Sequence, residues 1–182
     1  APFLAWHLSG GTTELLLVRP EGWTVAAEII GGTSDLSAGQ LIDRTGVLLG
    51  LQFPAGKALD GLYAQADACY EPRVKLRELT FSLSGMENQV KALAEEGEKP
   101  ANIARFAIDA VSNVVWRATQ EAQRRYPGLP VLCSGGVASN SQLRAGLISL
   151  CGALFAEPRY STDNAMGTAI LTWRALKAGE RP

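Results

Sequence analysis

The stretch "LCSGGVASN", Leu132–Asn140, breaks an apolar run with Ser-Gly-Gly. Near the start of the chain "HLSGGTTEL", His7–Leu15, makes the same break. Glycine has no Cβ, so a pair of them suits a backbone that turns tightly or lies against another molecule. The serine before them adds a hydroxyl that can bond a phosphate or the turn itself. One such break is an ordinary turn. Two in one chain point to a single ligand met from two sides.

What lies around the two breaks differs. "LPVLCSGG" reads as a short buried strand, and "ASNSQLRAGLISL" as the helix after it. "ALFAEP" is a further short strand, and residues 164–178 a closing helix. Upstream, Ile103, Phe106, Ala107, Ala110, Val111, Val114, Val115, Ala118 and Ala122 recur at helical steps. They predict one long helix over Ala101–Tyr126 with a wide buried face, stopped by Pro127-Gly128. Strands alternating with helices in this half imply βαβ units and a parallel sheet.

The first thirty residues read as strands instead: Phe3–Leu8, Glu14–Arg19 and Trp23–Ile30, separated by glycine turns, an antiparallel meander. After "GGTSD" the period becomes helical, with Ser34 or Asp35 as the expected N-cap and Gly50 near the end. "FPAGKALDGLYAQA" turns at Pro54–Gly56 and opens a second helix. "EEGEKP", Glu95–Pro100, has the charge and turn formers of a solvated, flexible loop.

With 182 residues, 47% of them hydrophobic, the chain suits one domain, residues 1–182. Its formal net charge of -1 gives no global attraction to nucleic acid, so RNA contact needs a local basic patch or a partner. No apolar run of about 18 residues is present to span a membrane. The start lacks a secretory layout, and without an initiator Met it reads as trimmed or cut out. Cys69, Cys133 and Cys151 make neither a metal pair nor a disulfide framework, so a reducing cytoplasm is expected. His7 is the only histidine, and a two-histidine metal site cannot come from this sequence alone.

"SGGTTEL", "GGTSDLSAGQLIDRTGVLLGLQFPAG", "TFSLSGMENQV", "SGGVASNSQLR" and "STDNAMG", in that order, resemble the Gcp/TsaD family. Its members were once labelled O-sialoglycoprotein endopeptidases (peptidase M22) and are now understood as tRNA N6-adenosine threonylcarbamoyltransferases. The resemblance implies an α/β fold of the actin, hexokinase and chaperone-ATPase superfamily, and mainly its second lobe. The family's HxxxH metal motif belongs to a first lobe upstream. It implies binding of an adenine nucleotide, as ATP or threonylcarbamoyl-adenylate, and an iron or zinc ion. It also implies a partner, either the missing first lobe or a paralogue, with tRNA reached only through the complete complex.

Residue by residue, the resemblance makes Ser9, Gly10 and Gly11 a phosphate-facing turn, against the plain reading of a hairpin. Gly135 and Gly136 would pass close to the nucleoside. Asn140 matches an adenine-side asparagine, and is equally an ordinary helix N-cap. Asp43 matches a nucleotide-binding aspartate, Gly56 the second glycine of a Pro-Gly-Gly turn, and Asp163 a metal ligand. Asp35, Gly39 and Asp43 would share one helical face. The chain departs from the family at Thr12, where histidine is common, at Gln40, where glutamate is, and at Pro54-Ala55-Gly56. Ser84-Gly85-Met86-Glu87 replaces Ser-Gly-Leu-Lys. These features imply a threonylcarbamoyltransferase-like chain that is incomplete as a catalyst, or else a nucleotide-binding scaffold for a catalytic partner. An uncovered lobe face would also favour self-association. No Gly-x-Ser-x-Gly elbow supports serine proteolysis.

Overall fold

The computed structural model describes residues 1–157, 160 and 165–179. The meander is there: β1 (Phe3–Leu8), β2 (Thr13–Glu21) and β3 (Thr24–Thr33) pair antiparallel. Then come α1 (Ala38–Leu48), α2 (Gly56–Tyr63), β4 (Leu76–Arg77), β5 (Thr80–Phe81) and α3 (Ser84–Glu95). The long helix α4 (Pro100–Arg125) leads to β6 (Val131–Ser134), α5 (Ser141–Cys151), β7 (Leu154–Phe155) and α6 (Met166–Lys177). The seven strands form one mixed sheet in the order β4-β5-β3-β2-β1-β6-β7. Both β1–β6 and β6–β7 are parallel, so the meander continues into the α/β half without a break.

One face of the sheet carries the core. Leu4, Trp6 and Leu8 point inward from alternate positions of β1, and Leu15 and Leu17 from β2. Each fully buried side chain of this size stabilises the fold by about 2 kcal/mol. Against them lies α4, which also contacts α1, α2, α3 and α5. Pro100 starts α4, where its missing N–H costs nothing, and Tyr126 ends it before Pro127-Gly128. Trp6 Nε1 donates to Thr119 Oγ1 at 2.9 Å, tying β1 to α4 through one buried polar pair.

Expectations for the β6 strand and for the cap of α1 are corrected. The strand before the second break is half-buried: Val131 and Cys133 face the core, while Leu132 faces outward beside Leu154. The sheet's second face is only lightly covered, with α6 against β3 and Ile29, Ile170, Trp173 and Leu176 exposed. The cap of α1 is Ser37, not Ser34 or Asp35. Ser37 Oγ accepts from the Gln40 N–H, and the Gln40 side chain accepts from the Ser37 N–H. A capping box needs an acceptor at this place and no charge, so glutamine serves as well as glutamate would.

Asp35 therefore lies outside α1, and the expected face of Asp35, Gly39 and Asp43 reduces to Gly39 and Asp43. Asp35 instead accepts from the hydroxyls of Ser82 and Ser84 and from the N–H groups of Leu83 and Leu36. Partial burial pushes its carboxyl up, but these four donors outweigh that and hold it far below the usual carboxylate range. Between α3 and α4 the "EEGEKP" segment is a short turn. Glu98 in it accepts from the Tyr70 hydroxyl and from Asn102 Nδ2.

Candidate functional site

Parallel pairing decides where the two Ser-Gly-Gly breaks end up. His7 is in register with Ser134, so β1 and β6 stop side by side and both turns leave the same end of the sheet. Between them and α1–α2 lies a cleft of about 600 Å³. Gly10, Asp43, Gly56, Gly136 and Asn140 line it, together with Phe53, Lys57 and Asp60. Ser9, Gly11 and Gly135 are not among its walls.

The two serines serve the turns. Ser9 Oγ accepts from the Thr12 N–H at 3.0 Å, and the Ser9 N–H donates to the Thr12 carbonyl, closing the first hairpin. Ser134 Oγ donates to the Trp6 carbonyl at 3.2 Å. The glycines divide by role. A Cβ on Gly10, Gly11 or Gly136 would meet nothing within 4 Å. On Gly135, whose φ is 95°, it would sit 2.2 Å from the Leu8 carbonyl oxygen. Gly135 is thus a packing requirement, whereas Gly10 and Gly136 leave open space. Among the described residues, none accepts from the Gly10 or Gly11 N–H. Successive free N–H groups of this kind form an anion-binding concavity.

Helix α1 closes in behind the first turn. The Gly39 N–H donates to the Ser9 carbonyl at 3.2 Å, and a Cβ on Gly39 would fall 2.5 Å from Gly10 Cα. One turn further on, Asp43 accepts from the Ala55 N–H at 2.8 Å and so fixes the Pro54-Ala55-Gly56 turn at the mouth of α2. Ala55 is fully buried, and a Cβ on Gly46 would lie 2.1 Å from the Ala55 Cβ. The methyl that distinguishes this turn from Pro-Gly-Gly fills a space that Gly46 vacates.

Asn140 does what a cap does: its Oδ1 accepts from the Gln142 and Leu143 N–H groups. Its Nδ2 donates to Asp60 at 3.1 Å, and Asp60 also takes the N–H and hydroxyl of Ser141. Asp60 thereby clamps α2 to the start of α5 across the cleft. It went unread in the sequence, although it stands four residues after Gly56 and so shares its helical face. Lys57 was missed as well, and it supplies the positive charge of the cleft wall.

The described residues offer no ligand set for the metal that the resemblance implies. Among the described residues no group of three His, Cys, Asp or Glu side chains could hold an ion. His7 is exposed on β1, and Asp163 lies outside the described residues. Among those residues, too, no helix is long and apolar enough to cross a membrane.

Two solved structures share this architecture. One is the crystal structure of T. kodakarensis HypF, with a TM-score of 0.61 and 18% identity, over 86% of this chain and 22% of that one. The other is the activator of the 2-hydroxyisocaproyl-CoA dehydratase from Clostridium difficile with bound ADPNP, at 0.58 and 14%, over 99% and 63%. The fold they share with this chain is of the α/β class, a mixed sheet with packed helices. Within that class the chain belongs to the TsaD family, tRNA N6-adenosine threonylcarbamoyltransferase, whose model matches residues 1–170. The enzyme of that name from Chlorobium luteolum is 35% identical over 204 residues, covering all of this chain and 58% of its own length. That of Staphylococcus saprophyticus is 33% identical, over 98% of this chain and 55% of its own. The chain thus spans little more than half the length of these relatives.

Proposed function

We propose that this chain supplies the nucleotide half-site of a threonylcarbamoyl transfer to tRNA, binding ATP or the threonylcarbamoyl adenylate in the cleft between the two turns. The observation that carries the reading is the convergence of Gly10 and Gly136, both sterically open, on one cleft. The Gly10 N–H, a free donor at the cleft wall, meets a phosphate, with the Gly11 N–H next to it on the exposed turn just outside the cleft. Asp43 spends one oxygen on Ala55 and turns its remaining acceptor capacity to the ribose hydroxyls. The base lies against Gly136, near the Asn140–Asp60 pair, and Lys57 balances phosphate charge. That the dehydratase activator of the same fold was solved with bound ADPNP supports nucleotide binding by such a fold.

Transfer itself calls on more protein than this half-site. The missing part is a first lobe or a paralogous partner, with tRNA as acceptor and the cytoplasm as compartment. The exposed apolar side of α6, with Ile170, Trp173 and Leu176, favours a second reading in which the chain is a scaffold that such a partner covers.

Titration calorimetry with a non-hydrolysable ATP analogue tests the cleft. Gly10→Ala and Gly136→Ala each place a methyl in empty space, and Asp43→Asn keeps an acceptor for Ala55 while removing the charge. Each should weaken binding about tenfold or more, the worth of one hydrogen bond to a charged group. Heats that none of the three alters would remove the proposed site.

A further inference from the structure

The segment Pro72–Arg77 alternates in burial. Pro72 and Val74 are buried and Leu76 packs at the margin of the core, while Arg73, Lys75 and Arg77 are exposed. Three cations thus face outward at every second residue, roughly 7 Å apart along an extended chain. The segment runs into β4, the edge strand of the sheet, so no further strand covers it. Arg117 braces it from behind, donating to the Val74 carbonyl at 2.7 Å.

Arg73, Lys75 and Arg117 line a groove of about 800 Å³ against α4 that shares no wall with the nucleotide cleft. Within it the Ser112 hydroxyl is buried and has no hydrogen-bond partner among the described residues. Of the two carboxylates on its wall, Asp109 is taken up by the Tyr63 hydroxyl at 2.9 Å and by Arg105 at 3.4 Å, leaving Glu71 alone against the cations. Among the described residues Arg73, Lys75 and Arg77 form no ion pair, whereas the neighbouring Arg124 and Arg125 are both paired. On a chain of formal net charge -1 this row is a local exception.

We propose that Arg73, Lys75 and Arg77, with the groove beside them, form a docking rail for the phosphodiester backbone of RNA. This rests on the reading of the chain as a tRNA-modifying module, and it places an RNA contact on this lobe itself. A row of unpaired cations on a straight exposed edge suits a polymer of regularly spaced phosphates, and such contacts position a nucleic acid without reading its bases. The rail lies four strands from β1, about 20 Å across the sheet at the usual spacing, so RNA held there stays within reach of the cleft end.

Fluorescence anisotropy of an unmodified tRNA transcript, titrated with the full 182-residue chain over a series of salt concentrations, tests it. The triple variant Arg73→Ala, Lys75→Ala, Arg77→Ala should flatten the slope of log K against log salt by about 2 to 3. At about 0.1 M salt that corresponds to a roughly hundredfold loss of affinity. Arg73→Lys with Arg77→Lys should restore the slope, since the contact is one of charge. All three side chains are exposed, so melting temperature and nucleotide heats should not move. Unaltered tRNA affinity in the triple variant, or absence of tRNA binding by the parent chain, would overturn the rail. So would dependence on these residues for anionic vesicles but not for tRNA. Loss of tRNA binding with intact ATP-analogue heats supports the rail; a rail that works in a chain without nucleotide heats leaves it standing and removes the cleft reading.

Discussion

The two Ser-Gly-Gly turns have the same sequence and different burdens. In the second, Gly135 is buried at a φ of 95° where any Cβ would strike the Leu8 backbone, and only Gly136 faces the cleft. In the first, both glycines are exposed, and the close approach is made from the other side, by Gly39 of α1. A repeated tripeptide therefore does not mean a repeated role. The fold demands one glycine of the second turn and one from a distant helix, and leaves Gly10 and Gly136 free for a ligand.

Substitution separates these roles, and the largest effect falls on Gly135. Gly135→Ala combines a left-handed φ with a clash against backbone that cannot swing away, and should destabilise by about 3 kcal/mol or more. Urea denaturation reads it directly. A midpoint equal to the parent's would erase the distinction between the turns.

Next in size is Thr119→Val, which leaves Trp6 Nε1 buried without an acceptor and should cost about 1 to 3 kcal/mol. Trp6 sits on the strand that carries the first turn and backs the second. The same denaturation curves, combined with Gly135→Ala in a double-mutant cycle, would show whether the two losses couple through β1.

For Gly10→Ala and Gly136→Ala the expected change in stability is within about 1 kcal/mol, and toward stabilisation, because alanine has fewer unfolded conformations to lose. A strongly destabilised Gly136→Ala protein would make both glycines of the second turn structural.

The smallest effect concerns acid. The carboxyl of Asp35 is held below its ordinary value, so the unfolded chain takes up that proton first. Its contribution is present above about pH 4 and fades as the pH falls below that. Asp35 is exposed, and solvent screens the effect. Thermal melts from about pH 6 down to about pH 3 should show a shallower decline for Asp35→Asn than for the parent. Parallel curves would detach the Ser82–Ser84 clasp from stability.

By itself the sequence determined the long helix α4, because nine apolar residues at helical steps permit one buried face and Pro127-Gly128 permits no continuation. It determined the meander β1–β3, since glycine turns at 10–11 and 22 punctuate apolar runs of strand length. It also located both Ser-Gly-Gly turns and, through the ordered motifs, the family. Tertiary structure decided what local chemistry left degenerate. Ser34, Asp35 and Ser37 are all good caps, and Ser37 has the role because Ser82 and Ser84, 47 and 49 residues away, occupy Asp35. Strands β4 and β5 are two residues each, too short to carry a period. Asp60 meets Asn140 across 80 residues, a pairing that no window of sequence contains. Gly135 and Gly136 are chemically identical, and only the packing of Leu8 against one of them makes the first obligatory and leaves the second open: steric demand depends on which backbone lies opposite, and that is fixed when β1 and β6 align in parallel.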